Sequence, residues 1–290
     1  MKETSMTIYD CCMFYNENEL FEIRLNQHWD SVDYFVVVEA GETHTGLKKP
    51  LNFDHERFKP WASKIIYRSF DSFDEEYIRH PELLDNTALM DRGPLHTSAD
   101  WTRDHFQYNY LLKVMLDNGA KDNDLVYLSC CDEIIRKEAF ELCTNLIKDN
   151  PDHTIMFKYN LFAYKLNLLC LDYTRSDSSG GFSTLASLKR TLPATLRFYR
   201  ITTHLVQNAG WHFTFLDPTD GERVLSKQRA WAHSKDVYEG RKLKFDHTTK
   251  EEAMQRFYED YPITKVDITL DSHPEYIVNN LEKFKDFIQL

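Results

Sequence analysis

The sequence lacks several features that would assign it at once to a class of protein. No run of about 18 apolar residues occurs anywhere in the chain, and its start has no apolar core of signal-peptide length. The six cysteines show no CxxC spacing and no small disulfide-rich setting, so we expect reduced thiols and no structural zinc. We therefore expect a soluble, cytoplasmic protein without an integral membrane segment.

Positive charge is also scarce. The chain has 35 Lys and Arg residues against 46 Asp and Glu residues, a formal net charge of -11. This deficit argues against a nucleic acid bound through its phosphates, and against an anionic membrane surface. No internal repeat, coiled coil or low-complexity tract occurs, so we expect one compact unit of unknown oligomeric state.

The most informative stretch is Asp124–Glu133, a short apolar run that ends in two carboxylates. Acid side chains are costly inside a sheet core, so this pattern predicts a buried strand whose carboxyl end opens into a site. Because side chains alternate along a strand, Asp132 and Glu133 are expected on opposite faces. The plain alternative is an ordinary strand that ends in an acidic turn.

Further apolar runs predict the rest of the sheet. They are continuous rather than alternating, which favours a parallel sheet with helices on both faces. We predict an α/β fold with a mostly parallel central sheet and a helical C-terminal extension, with helices near Thr249–Asp260 and Pro274–Ile288. The other predicted elements are strands at Thr7–Phe14, Asp33–Glu39 and Lys64–Phe70, helices at Leu20–Trp29 and Arg136–Lys148, and a strand pair within Thr154–Leu171.

A helix predicted from Asp100 to Asp117 begins with a polar cluster. Its first two turns place Arg103, Asp104 and Gln107 beside the buried stripe, and Asp100 is the expected cap. Helix N-termini favour anionic groups such as a diphosphate. An ordinary solvated face would give the same pattern.

Three polar segments are predicted to be loops. Ala40–Pro50 carries two glycines after the second strand, at the edge where open α/β sheets bind ligands, although a plain surface loop is the alternative. Glu75–Ala99 is expected to be a long irregular connection. Asp172–Thr184 is a loop by composition, and its Gly180-Gly181 pair is expected to permit movement.

Several stretches match a known family jointly and in the family's order. They are Phe14–Leu25, Val32–Ala40, Thr43–Gly46, Lys49-Pro50, Trp101–Gln107, Ser129–Ile134, Gly210–Thr214 and Ala232-His233. Through them the chain resembles glycosyltransferase family 17, the family of the bisecting N-acetylglucosaminyltransferase. The matching stretches span about residues 8–234. We therefore expect a catalytic domain over residues 1–234 and an extension over residues 235–290 that packs on it.

The resemblance implies a GT-A-like fold and an inverting transfer of a sugar from a nucleotide-sugar donor to a glycan or another hydroxyl acceptor. The donor is expected to be a UDP-sugar, with N-acetylglucosamine as the candidate sugar. A second hypothesis is a catalytically lapsed fold that binds a sugar nucleotide or glycan without turnover. A nucleotidyltransferase is a third, but it would need a glycine-rich phosphate loop where Tyr15–Asn18 stands.

The resemblance also implies a divalent metal, Mn²⁺ or Mg²⁺. Asp132 is expected to hold the metal that bridges the donor diphosphate, with His212 and His233 on the same side. Family members usually carry an aspartate where this chain has Cys130. Because these ions prefer oxygen ligands, a thiol is a poor substitute, and metal dependence is left open.

The donor and the acceptor base complete the expected site. An inverting transfer needs a base that takes the proton of the acceptor hydroxyl. Glu133 and Asp104 are the preferred candidates, and Asp217 is a third. The residues expected to contact the donor are Asn16, Glu39, Thr45, Arg103, Gln107 and Trp211.

Overall fold

The computed structural model describes residues 6–84, 98–172, 180–199, 202–235, 237–238, 241–242 and 249–290. In these ranges the strands are β1 (Ile8–Phe14), β2 (Tyr34–Ala40), β3 (Ile65–Phe70), β4 (Leu125–Cys130), β5 (Glu133–Ile135), β6 (Ile155–Ala163), β7 (Leu168–Cys170), β8 (Gly181–Thr184), β9 (His204–Thr214), β10 (Val237–Tyr238), β11 (Arg241–Lys242) and β12 (Ile263–Lys265). The helices are α1 (Asn18–His28), α2 (Phe73–Arg79), α3 (Ala99–Asp117), α4 (Lys137–Asp149), α5 (Leu185–Thr191), α6 (Pro193–Tyr199), α7 (Glu222–Ala230), α8 (Lys250–Asp260) and α9 (Glu275–Val278). Short 3₁₀ helices lie at Lys59–Lys64, Pro81–Leu84, Ala232–Lys235 and Lys285–Phe287.

Four strands rich in apolar residues form the parallel part of the sheet. Their order is β3-β2-β1-β4, and each neighbouring pair is parallel. Neighbouring residues of β1 face opposite sides: Cys12 packs in the core that includes α1 and α4, and Cys11 in the core that includes α3. Helices therefore cover both faces, and the predicted α/β fold is confirmed.

Beyond β4 the sheet is mixed, whereas the sequence predicted a mostly parallel sheet. β8 lies antiparallel to both β4 and β6, and β7 and β12 continue in antiparallel pairs. β9 is parallel to β6 and antiparallel to β5. The short connection Tyr164–Asn167 explains the antiparallel β6–β7 pair, because a parallel pair needs a crossover of a dozen or more residues.

The N-cap of helix α3 lies two residues before the predicted one. Ser98, not Asp100, is the N-cap, and its side chain accepts a hydrogen bond from the backbone N–H of Trp101. The connection predicted over Glu75–Ala99 is partly helical, since it includes most of α2 and the 3₁₀ helix Pro81–Leu84. The remainder of that prediction, residues 85–97, lies outside the described residues.

The glycine pair at 180–181, which the sequence predicted to permit movement, lies in close contact with neighbouring elements. An added Cβ at Gly180 would lie 2.1 Å from the carbonyl oxygen of Leu128 in β4. Gly181 begins β8, so the predicted loop Asp172–Thr184 is partly a strand, and its residues 173–179 lie outside the described residues. The absence of a side chain at Gly180 therefore allows β8 to approach β4.

The tail contains one of its two predicted helices. α8 confirms the first, but of Pro274–Ile288 only the four residues of α9 are α-helical. Ile277 and Phe284 pack against Leu20 and Ile23 of α1, so the apolar spacing reflects burial and not a continuous helix. None of the helices formed by the described residues is long and apolar enough to cross a membrane.

Candidate active site

A cavity of about 330 Å³ opens at the carboxyl ends of three parallel strands. Phe14 ends β1, Ala40 ends β2, and Cys130–Asp132 covers the end of β4 and the turn after it; all of them line the cavity. The carboxyl edge of a parallel sheet is where open α/β folds bind ligands. The cavity therefore lies where the sequence placed the site.

The cavity is lined by charge of both signs. Side chains come from the loop after β2, from α3, α6, β9 and α7, and from the residues that follow α7. Within the described ranges, four carboxylates, three cations and three histidines face this space. They are Glu17, Glu42, Asp104, Asp132, Lys49, Arg197, Lys227, His44, His212 and His233.

Asp132 is buried at the cavity floor with two cationic neighbours. Lys227 Nζ donates to its Oδ2 at 2.9 Å, and His212 Nε2 lies 3.6 Å from its Oδ1. Burial disfavours the charged form, yet Lys227 and His212 together hold the pKa of Asp132 far below its usual range. In return, Asp132 outweighs burial and raises the pKa of His212. Asp132 therefore stays ionised.

The turn that carries Asp132 is held by a buried arginine. The guanidinium of Arg24 donates to the carbonyl oxygens of Cys130 and Glu133, at 2.7 and 2.8 Å. Its Nε donates to Asp10 of β1 at 2.9 Å, and neither side chain reaches solvent. Because charge-assisted hydrogen bonds are strong in a buried setting, this network fixes the backbone of the turn to the core of the sheet.

Cys130, the residue that departs from the acidic pattern, has an enclosed thiol. Its Sγ lies 3.0 Å from Tyr108 Oη and accepts from Arg197 Nη2 at 3.3 Å. Burial outweighs Arg197 and raises the pKa of Cys130 to about 12, so the thiol stays protonated. Arg197 also donates to Asp104 at 3.4 Å, and its Cζ lies 4.3 Å from the centre of the Tyr108 ring.

Three of the residues predicted to contact the donor meet at the loop after β2. Gln107 lines the cavity, and its Oε1 lies 3.0 Å from Nε2 of His44. Thr45 donates to the carbonyl oxygen of Arg229 at 2.9 Å, and Arg103 to the carbonyl oxygen of His44 at 3.0 Å. Gln107 therefore faces the cavity, while Thr45 and Arg103 hold the loop that carries His44.

Aromatic rings form another wall of the cavity. The ring of His233 lies 4.6 Å from that of Trp101 and 5.0 Å from that of Trp231, centre to centre, and all three residues line the cavity. Both contacts are edge-to-face, the geometry that aromatic pairs prefer. The structure thus places His233 in an aromatic wall.

The three predicted metal ligands do not form one cluster. Asp132 and His212 adjoin, but His233 is packed between tryptophans. No group of three His, Cys, Asp or Glu side chains in the part of the chain that the structure describes could hold a metal ion. Lys227 already contacts the Asp132 carboxylate. As arranged here, these side chains do not fit a divalent cation, and the metal stays a prediction.

Glu39 and Asn16 lie beside the cavity rather than on its surface. The buried Glu39 carboxylate accepts hydrogen bonds from four groups, so it organises the chain that follows Lys49. The donors are Lys49 Nζ, the backbone N–H groups of Asn52 and Phe53, and Tyr67 Oη. Asn16 donates its backbone N–H to Glu17, whose side chain lines the cavity.

Trp211 faces away from the cavity. It neighbours His212 in β9, and side chains alternate along a strand, so the two rings lie on opposite faces. Trp211 packs in the core cluster with Leu20 and Ile134 and donates its Nε1–H to the carbonyl oxygen of Ser272 at 2.7 Å. Its place is structural, at the contact with the tail.

Of the three predicted bases, one lines the cavity. Asp104 lines the cavity. Burial alone would raise the pKa of its carboxyl group, but Arg197 and His44 outweigh burial and lower this pKa. Glu133 is buried at the start of β5, where its carboxylate accepts the backbone N–H of Cys130 at 2.9 Å. Asp217 is fully buried and accepts four hydrogen bonds from the turn before α7.

Sequence reasoning missed the two cations that contact the turn after β4. Lys227 begins the stretch Lys227–His233, whose last two residues carry part of the family resemblance. Its position near the site could therefore have been inferred from the sequence. Arg197 belongs to α6, which starts at Pro193, a residue that favours the first position of a helix. Neither sequence feature by itself predicts that Lys227 contacts Asp132 or that Arg197 contacts Cys130.

The fold and the cavity define the class of protein: an α/β protein whose candidate ligand site lies at the carboxyl ends of parallel strands. The sequence model of glycosyltransferase family 17 matches residues 1–257. The chain therefore belongs to glycosyltransferase family 17 and is a glycosyltransferase. The sheet is mixed, with a parallel first part, and the GT-A-like fold remains what the family resemblance implies.

Two solved structures show a weak likeness. A 4-diphosphocytidyl-2C-methyl-D-erythritol synthase is 10% identical over 71% of this chain and 90% of its own, with a TM-score of 0.41. Residues 1–349 of S. aureus TarS are 13% identical over 97% of this chain and 81% of that one, with a TM-score of 0.37. Likenesses this weak carry no conclusion about function. No curated protein matches the chain in sequence.

Proposed function

We propose that this glycosyltransferase moves a sugar, with N-acetylglucosamine as the candidate, from a UDP-linked donor to a hydroxyl group of a carbohydrate acceptor, with inversion. The observation that carries the proposal is the set of charges at the cavity floor. Lys227 and Arg197 both contact the turn after β4, beside the ionised Asp132. A nucleotide-sugar donor leaves as a nucleoside diphosphate, whose negative charge needs cationic groups nearby.

The shape and lining of the cavity support this class of donor. Its volume of about 330 Å³ lies at the small end of the range for sites that enclose a small molecule. Phe14, Tyr15, Trp101 and Trp231 line it. Tyr15 and Trp231 are the less buried of these rings, and a nucleobase or a sugar ring can stack on such flat aromatic faces. Gln107 and His44 add polar groups that can orient a ligand through hydrogen bonds.

Asp104 is the base that we propose for the acceptor hydroxyl. It lines the cavity, and Arg197 and His44 keep its carboxyl group ionised, the form that accepts a proton. Its distance of 3.6 Å from His44 Nδ1 links it to the loop after β2. A hydroxyl placed between Asp104 and the anomeric carbon would lose its proton as the new glycosidic bond forms.

A screen for UDP release tests the proposed function. Purified protein is incubated with a panel of UDP-hexoses and UDP-N-acetylhexosamines, with and without mono- and disaccharide acceptors, and the products are identified by mass spectrometry. We expect one donor to release UDP faster when an acceptor is present, and the new bond to have the opposite anomeric configuration. Silence across all donors and acceptors would contradict the proposal.

Binding without turnover is the second candidate, and Cys130 favours it. The neutral thiol supplies no carboxylate where the family usually has one. For this candidate, calorimetry would show binding of a UDP-sugar without UDP release, and Cys130→Asp would restore transfer. Turnover by the unmodified chain would exclude it.

A further inference from the structure

We infer that Lys227 and Arg197 bind the donor diphosphate directly and take the place of a divalent metal in this chain. This inference rests on the proposed function, because it assigns the groups that neutralise the leaving group in that reaction. It differs from the metal dependence that the family resemblance implied. The two cations contact the turn after β4 at either end, Arg197 at Cys130 and Lys227 at Asp132.

The first argument is the supply of oxygen ligands. Mn²⁺ and Mg²⁺ bind carboxylate, carbonyl and water oxygens and use thiols poorly. At position 130 the chain offers a buried thiol, which already accepts from Arg197 at 3.3 Å. Within the ranges the structure describes, no three His, Cys, Asp or Glu side chains are grouped for a metal. The donor set is too small for a hard cation.

The second argument is the charge already present at Asp132. The ammonium of Lys227 lies 2.9 Å from Oδ2, so the one carboxylate of the turn that lines the cavity is neutralised by a side chain. A divalent cation on the same carboxylate would lie within a few ångströms of this ammonium. Like charges this close together repel, so the ammonium disfavours a divalent cation on the same carboxylate.

The third argument is that both cations have donors left for a phosphate. An ammonium has three N–H donors, and Lys227 uses one of them in its hydrogen bond to Asp132. The Nε of Arg197 is buried and makes no hydrogen bond in the described part of the chain. Both residues line the cavity. The Nε itself is enclosed, so a phosphate oxygen in the cavity would meet the partly exposed remainder of the Arg197 guanidinium, whose charge strengthens the hydrogen bond.

Calorimetric binding of UDP and of inorganic pyrophosphate tests the inference without relying on turnover. Each titration is run on the full chain in excess EDTA and again in excess Mn²⁺. We expect both ligands to bind in EDTA, with affinities that Mn²⁺ changes by less than about threefold. Pyrophosphate isolates the diphosphate contact from any contact with the nucleoside.

Substitution of the cations gives the matched comparison. Lys227→Met and Arg197→Met should each weaken pyrophosphate binding by about tenfold or more, the effect of losing one charge-assisted hydrogen bond. Lys189→Met removes an exposed cation of α5 that pairs with Asp122, and should leave binding unchanged. Lys227→Arg keeps the charge and should retain most of the affinity, even if a methionine variant fails to fold.

The outcomes separate this inference from the proposed function. Binding that disappears in EDTA and returns with Mn²⁺ would overturn the inference while leaving the transfer reaction in place. Metal-free binding of pyrophosphate that depends on Lys227 and Arg197, without turnover of any UDP-sugar, would support the inference and count against the proposed function. If neither ligand binds with or without Mn²⁺, both are wrong.

Discussion

The part of the chain that ends at Asp132 and the part that follows bring opposite charges to one cavity. Every carboxylate that lines the cavity within the described ranges belongs to the first part. The cations that contact the turn after β4, Arg197 and Lys227, belong to the second. Lys49, the lining cation of the first part, is bonded to Glu39. The charged site is therefore complete only when both parts are folded together.

The two parts also differ in how they are built. In the first, three of the four acids, Glu17, Glu42 and Asp132, follow strands of one parallel sheet and meet at a common edge, and Asp104 lies on α3. In the second part, the cations lie on helices α6 and α7, which follow strands of the mixed half of the sheet. Their contacts with the turn after β4 join residues that are distant in sequence. Arg197 lies 67 residues from Cys130, and Lys227 lies 95 residues from Asp132. Strand ends thus position most of the acids, and tertiary packing positions the cations.

Removal of Arg24 should have the largest effect, because this buried residue ties Asp10 of β1 to the turn after β4. Arg24→Met leaves Asp10 buried without its main partner, and we expect a loss of about 3–5 kcal/mol in the free energy of unfolding, measured by chemical denaturation. Arg190→Met, at an exposed pair with Asp152, should change it by less than about 1 kcal/mol. Equal effects would mean that the buried network contributes little.

Asp132→Asn removes the charge at which the two parts meet. We expect turnover to fall by about 10²–10³, since Lys227 and His212 lose the carboxylate that they contact. The fold should persist, as measured by circular dichroism, because Arg24 holds the backbone of the turn and not this side chain. Asp122→Asn, at an exposed carboxylate, is the control. Full activity in Asp132→Asn would place the active centre elsewhere.

The difference between the two parts explains what the sequence could reveal. The strands of the first part and the position of Asp132 were predictable, because apolar runs that end in acids are local patterns. Arg197 and Lys227 were not, because no local pattern records a contact made across 67 or 95 residues. Trp211 was assigned to the wrong face for a related reason. The family resemblance covers the whole stretch Gly210–Thr214. Because side chains alternate along β9, Trp211 and its neighbour His212 lie on opposite faces of the strand.

The junction between the parts gives the next prediction. Gly180→Ala introduces a Cβ that would lie 2.1 Å from the carbonyl oxygen of Leu128, so β8 must move away from β4. We expect a loss of about 1–3 kcal/mol in the free energy of unfolding. In Gly119→Ala the added Cβ has no neighbour within 4 Å, so the only cost is the strain of the positive φ. We expect this strain to lower the free energy of unfolding by about 1–2 kcal/mol.

Thermal and chemical denaturation of the two glycine variants should rank Gly180→Ala as the less stable. Turnover sharpens the comparison, because displacement of β8 from β4 alters the strand that leads to Asp132. We expect lower turnover in Gly180→Ala and unchanged turnover in Gly119→Ala. A Gly180→Ala variant with the stability and turnover of the parent would show that the junction tolerates separation.

The smallest effect concerns His273, which connects the tail to the second part. Its Nε2 contacts the carbonyl oxygen of Leu166 at 2.8 Å and its Nδ1 contacts Ser272 Oγ at 2.7 Å, an arrangement that suits a neutral ring. Burial lowers the pKa of His273 below its usual value. The unfolded chain therefore takes up a proton near pH 6.5 that the folded chain does not.

The sign of the pH dependence follows from that difference. As pH falls from 7.5 through about 6.5, the free energy of unfolding should decrease with a slope of at most about 1.4 kcal/mol per pH unit from this group, and the loss ends below the folded pKa. Urea denaturation of the parent and of His273→Gln over this range isolates the contribution, because other groups titrate in both. The variant should show the shallower slope. Identical slopes would mean that His273 titrates alike in the folded and unfolded chains.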